Sequence, residues 1–173
     1  MRLNADQLLA FFPHAVLTKI VGYPNLASIT LQQSEHNGNL TLIKSNPGDG
    51  LTSLMVISMK PEIFATIHPN TFAIPTNPGP ALDPDAITAS SMATKITDIY
   101  KAYALESDIY SEFVTAERIF LKLMLDSMAK LYYKTLKHVH TGYVNVTLRQ
   151  ILDHLVTTYA AIDQFDLEKN QEK

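Results

Sequence analysis

The chain has 173 residues, 46% of them hydrophobic, enough to bury one substantial core, with a formal charge of −3 and a sequence pI near 6.0 that provide no global attraction for nucleic acid or anionic membrane. It contains no cysteine, which excludes disulfides, thiolate metal sites, zinc knuckles and cysteine nucleophiles together and fits a reducing, cytoplasmic setting. Residues 1–20 are interrupted by Asp6, Pro13, His14 and Lys19 and lack the apolar run of a signal peptide, and no later segment approaches a membrane span.

Proline and glycine divide the sequence unevenly. Eight of the nine prolines precede position 81 and the ninth is Pro84, whereas 85–141 contains neither residue. This predicts a mainly α, multi-helix domain: 1–83 as short helices, extended segments and a proline-rich arm, and 84–173 as the helical bundle part of one domain.

In chain order, Leu8, Leu9 and Phe12 share a face of a first short helix over 4–12 that Pro13 stops. Pro24, with Leu26, Ile29 and Gln33 in helical spacing, predicts a second over about 25–36, ended by Asn37-Gly38. Two apolar runs, 40–43 and 54–57, flank Asn46-Pro47-Gly48-Asp49-Gly50 and admit a short β-hairpin. Lys60-Pro61-Glu62 reads as the entrance to a helix carrying Ile63, Phe64 and Ile67. Five prolines between His68 and Pro84 then favour an extended arm.

Asp83-Pro84-Asp85 is a helix start, and Met92, Ile96, Ile99, Tyr103, Tyr110, Phe113, Phe120, Met124 and Met128 recur at helical intervals beyond it. A continuous helix over 84–128 would span roughly 67 Å, so a break is expected around 106–111, with helix resuming toward 138. Ile109, Ile119, Leu121, Leu123 and Leu125 lie off the main stripe and require either a second covering layer or a partner. Thr147-Leu148-Arg149-Gln150 has capping-box spacing, and Leu148, Ile151, Leu152, Leu155, Val156 and Tyr159 form the apolar face of a last helix.

The residue types that carry chemistry do not assemble into a catalytic pattern. His138, His140 and His154 are loosely spaced and fit a helix end better than a zinc site, so no metal and no cofactor is assigned. Glu106, Asp108, Glu112 and Glu117 read as a solvated helix face. No Gly-x-Ser-x-Gly elbow surrounds Ser90-Ser91, and Gly48-Asp49-Gly50 is not followed by the Lys-Ser or Lys-Thr of a phosphate loop. Between 127 and 152 there are Lys130, Lys134, Lys137 and Arg149 but no acid, with Tyr132, Tyr133 and Tyr143 interleaved. Such a stretch suits either RNA phosphates with stacked bases or the wet side of a helix whose tyrosines pack inward or anchor an interface.

Several short motifs occur in a fixed order. Leu17-Thr18-x-Ile20-x-Gly22-x-Pro24 is followed by the Asn- and Gly-rich run from Asn37 to Gly50, by Phe72-Ala73-x-Pro75-x-Asn77-Pro78-Gly79, by Thr141-Gly142-Tyr143-Val144-Asn145-Val146-Thr147 with its helix through Ile162, and by Asp166-Leu167-Glu168-x-Asn170. In this order they resemble the Gag-like N-terminal (capsid) region of copia-type (Pseudoviridae) retrotransposon polyproteins. Where that group continues its glycine-rich loop into His-Gly, this chain has Leu51-Thr52-Ser53, so no loop function is carried over. The resemblance implies a structural protein that self-associates, has no catalytic residues and helps package element RNA, with RNA contact assigned mainly to regions outside this chain. The competing expectation is a small helical adaptor that binds a protein partner through the face around Tyr132, Tyr133 and Tyr143.

Overall fold

The computed structural model describes residues 5–43, 53–67, 74–80 and 93–160. Within them the chain is mainly helical, as its patterning predicts, and has no strand. The helices are α1 (Ala5–Phe11), α2 (Leu26–Leu40), α3 (Pro61–Ile67), α4 (Ala93–Asp126) and α5 (Leu148–Leu155), the last continuing as a π-helical turn, Val156–Ala160. No helix among the described residues is long and apolar enough to cross a membrane.

Helix α1 ends where expected, because Pro13 offers no amide to continue it. Its Leu8 and Phe12 flank are buried, and the Phe12 ring stacks on Phe120 of α4 at 5.2 Å. Helix α2 begins with a reciprocal cap, in which Asn25 Oδ1 accepts from the Ser28 amide at 2.8 Å and Ser28 Oγ accepts from the Asn25 amide at 3.0 Å.

Helix α2 runs past Asn37-Gly38, correcting the stop expected there. A glycine inside a helix costs about 1 kcal/mol, but Asn39 and Leu40 beyond it are fully buried and outweigh that cost. The face it buries also differs from the expected one: Leu26 is half exposed, whereas Ile29, Gln32, Glu35, His36, Asn39 and Leu40 point inward.

The short β-hairpin does not form among the described residues. Leu40 closes α2, and residues 53–57 make a 3-10 turn whose Leu54 and Ile57 are buried. Burial of a short apolar run is equally well met by a turn, and that run has no partner strand to pair with. Helix α3 starts at Pro61 as predicted and buries Phe64. The described part of the proline-rich arm, 74–80, has neither helix nor strand, and its Gly79 carbonyl accepts from the Tyr103 hydroxyl of α4 at 2.8 Å.

Helix α4 is unbroken over 34 residues, about 51 Å, so the break expected at 106–111 is absent. The length argument assumed that the whole helix lies inside the core. Instead no residue from 95 to 112 is buried, and burial begins at Phe113, so the first half of α4 is covered only in part. The expected start at Asp83-Pro84-Asp85 lies outside the described residues. Off the main stripe, Ile119 is buried and Leu121, Leu123 and Leu125 pack half-buried against the core, so part of the second apolar face is covered by the chain itself.

Helix also fails to continue toward 138. It stops at Asp126, and Lys130–Tyr132 and Lys134–Leu136 are separate 3-10 turns. The stop is tertiary in origin: Ser127 gives its carbonyl to the Ile20 amide at 2.9 Å and its hydroxyl accepts from Gln32 Nε2 at 2.7 Å. Helix α5 starts with the predicted capping box, Thr147 Oγ1 accepting from the Gln150 amide at 3.1 Å and Gln150 Oε1 from the Thr147 amide at 3.0 Å. Its Leu148, Ile151, Leu152 and Leu155 are fully buried in one core shared by residues from Leu8 to Leu155.

Candidate functional site

Lys130, Lys134 and Lys137 are exposed, but they sit on two 3-10 turns and the residue after them rather than on one helix face. Arg149 does not join them. Its guanidinium donates to the Ser58 carbonyl at 2.6 Å and to Asp153 Oδ1 at 2.5 Å, which ties α5 to the 53–57 turn. The tyrosines are turned the other way. Tyr132 is 9% and Tyr133 3% exposed; Tyr132 meets Tyr159 edge-on at 5.4 Å, and Tyr133 meets Tyr143 edge-on at 5.3 Å. The Tyr133 hydroxyl donates to the Leu125 carbonyl, and burial first, then Tyr143 and Asp126, push its phenol pKa up. Tyr132 and Tyr133 therefore take the packing alternative and offer no open ring face, while Tyr143 is half-buried.

The three histidines are not brought together. His138 closes a turn by exchanging backbone bonds with Gly142 at 2.9 and 3.0 Å, and Gly142 takes the φ of 64° that the turn requires. The His138 Nδ1 accepts from the amides of His140 and Thr141, both at 3.3 Å, and the His138 and His140 rings lie 5.8 Å apart. His154 is engaged elsewhere, with Nε2 3.1 Å from the Tyr132 carbonyl and Nδ1 3.3 Å from Thr158 Oγ1. A carbonyl only accepts, which places the His154 proton on Nε2. No group of three metal-ligating side chains occurs among the described residues.

An open groove of about 440 Å³ lies beside this turn, lined by Leu136, His138, Asn145, Val146, Gln150 and Asp153. Its polar groups are largely committed, because Gln150 caps α5 and Asp153 binds Arg149 with Lys60 at 4.0 Å. On α4, Glu106 and Asp108 are exposed and Glu117 is half-buried, its pKa raised by burial against the opposing charge of Arg118. Ser90-Ser91 and Gly48-Asp49-Gly50 lie outside the described residues.

The most organised polar cluster is one that sequence spacing concealed. Gln32, Glu35, His36 and Asn39 are all buried on the inner face of α2. Three of them hold the irregular segment 13–20. Asn39 Oδ1 accepts from the His14 amide at 3.0 Å while its Nδ2 donates to the His14 carbonyl at 2.9 Å. Glu35 accepts from the Thr18 amide at 2.9 Å and the Thr18 hydroxyl at 2.5 Å, and Gln32 Nε2 donates to the Thr18 carbonyl at 2.9 Å. His36 differs: both its ring nitrogens lack a hydrogen-bond partner, its ring meets Phe120 edge-on at 5.6 Å, and burial lowers its pKa to about 4 against the raising effect of Glu35. The available signal was polar residues at 32, 35, 36 and 39, the spacing of an inward face, which apolar periodicity passes over. Set beside known proteins, the chain matches no family model, no curated protein and no solved structure.

Proposed function

We propose that this chain is a Gag-like, capsid-type structural protein that acts in the cytoplasm by self-association and has no catalytic residues of its own. The observation that carries the reading is the ordered series of copia-type motifs from Leu17 to Asn170 in a chain whose fold is mainly helical. The motif residues also have local structural work. Thr18 is held by Glu35 and Gln32, Gly142 closes the turn before α5, and Thr147 caps it.

The partly covered first half of α4 supports an assembly role, since it carries Ile99 and Leu105 exposed at 37% and 56%. RNA packaging in this reading falls on Lys130, Lys134 and Lys137 or on other parts of a longer polyprotein. The test is sedimentation velocity from micromolar to millimolar concentration, with electron microscopy of the concentrated sample. Concentration-dependent growth into regular particles is expected. A monomer throughout, with no particles, overturns the reading in favour of an adaptor.

A further inference from the structure

Residues 13–20 cross the inner side of α2 without helix or strand; the Ile20 amide bonds the Ser127 carbonyl, while the backbone groups of His14 and Thr18 are met by side chains of α2. Backbone-to-backbone ladders do not titrate. This attachment instead runs through an ionisable side chain, because the acceptor for both donors of Thr18 is the Glu35 carboxylate, 7% exposed, with Oε2 taking the amide and Oε1 the hydroxyl. A protonated carboxyl must donate through one of those oxygens, so one Thr18 donor would face another donor. The neighbouring His36 is fully buried with no acceptor for either ring nitrogen, and a proton arriving there has only the Glu35 carboxylate to answer it.

The other titratable groups on the elements around α2 do not supply that answer. The segment itself brings His14, whose Nδ1 is 3.9 Å from Glu35 Oε1, and the exposed Lys19. Helix α4 presents the Phe120 ring, with Glu117 one turn before it set against Arg118. Helix α5 brings Arg149 and Asp153, bound to each other and to Ser58 and Lys60, together with His154, which is held by Tyr132 and Thr158. The π-helical turn brings Tyr159, packed on Tyr132, and the 53–57 turn has no ionisable side chain.

We propose that residues 13–20 are an acid-released strap: proton uptake by the Glu35–His36 pair detaches Thr18 and lifts the segment from α2 while α4 and α5 stay packed. Leu17 and Ile20 anchor the strap by apolar burial and the Ile20 amide by its bond to the Ser127 carbonyl, so the Glu35 contacts decide whether the part around Thr18 stays down. This device is independent of the capsid-type reading.

The experiment is amide hydrogen exchange by NMR on the full chain at about pH 7 and about pH 4.5, corrected for intrinsic rates. Protection of the His14 and Thr18 amides is expected to fall about tenfold or more at the lower pH, while the Leu152 and Leu155 amides of α5 keep theirs. Glu35→Gln should lower Thr18 protection already at neutral pH. His36→Phe, which keeps an aromatic ring and removes the titrating nitrogens, should blunt the acid response and decides the question even if Glu35→Gln unfolds. Thr18 protection that follows α5 at both pH values in the wild type overturns the strap, and an undiminished acid response in His36→Phe overturns the role given to the pair.

Discussion

Gln32 and Ser127 are 95 residues apart in sequence, yet Gln32 Nε2 donates to Ser127 Oγ at 2.7 Å in the closed interior. The same nitrogen donates to the Thr18 carbonyl, and Ser127 Oγ in turn donates to the Met124 carbonyl at 2.6 Å. One amide therefore joins the strap, α2 and the end of α4. Ser127→Ala should destabilise the chain by about 1–2 kcal/mol, because a buried donor loses one of its two acceptors. Urea unfolding with an unchanged slope checks this, and a loss below about 0.3 kcal/mol would remove the pair from the account of why α4 stops.

Acid sensitivity of the whole fold follows from His36. Its pKa is about 4 in the native state against an ordinary value of 6.5, so between these values the unfolded chain binds more protons. Stability is fully present above about pH 6.5 and is lost as pH falls toward 4, by on the order of 3 kcal/mol in total. His36→Leu loses no hydrogen bond, since neither ring nitrogen makes one, and should flatten this dependence. Melting temperatures from pH 4 to 8 for the two proteins should converge in acid relative to their neutral gap, or cross; parallel curves would rule His36 out.

Helix α4 should separate folding from association. Leu125 packs half-buried against the core, so Leu125→Lys should cost about 1–3 kcal/mol and lower the melting temperature. Leu105 is 56% exposed on the first half of α4, and Leu105→Lys should leave stability within about 0.5 kcal/mol while weakening any self-association. Calorimetry and sedimentation on both variants check the contrast. Equal melting temperatures for the two would contradict the burial pattern.

The turn into α5 offers a local test. Thr147→Ala should cost about 1 kcal/mol by removing the side-chain acceptor of the Gln150 amide, and Gly142→Ala a further 1–2 kcal/mol or so because φ is 64° there. Chemical denaturation of each variant measures both. A neutral Gly142→Ala would mean that the His138–Gly142 turn is dispensable for placing α5.

Where the chain carries its own punctuation, the fold was legible. Pro13 ends α1, Pro61 opens α3 and the Thr147–Gln150 pair opens α5, each through chemistry confined to a few residues. The misreadings arose where distant residues decide. The end of α4 depends on Ile20 and Gln32 reaching Ser127, which no signal near 127 reveals. The unbroken α4 depends on its first half lying outside the core, and the polar inner face of α2 on the strap that it holds. Of the candidate sites, the lysines are exposed, and Tyr132 and Tyr133 take the packing alternative that the sequence left open, since tyrosine serves surface and interior equally well.

The shared core has a consequence for synthesis. Leu148, Ile151, Leu152 and Leu155 close over α2 and α4 late in the chain, and without them the apolar sides of those helices are covered only in part, by α1 and the 53–57 turn. A ribosome adding about 5–20 residues per second would take several seconds to move from α2 to α5. During that interval the parts of α2 and α4 that α5 covers stay open to the surroundings, so α5 acts as the closing piece and the polypeptide should reach protease resistance only after Leu155 has left the exit tunnel.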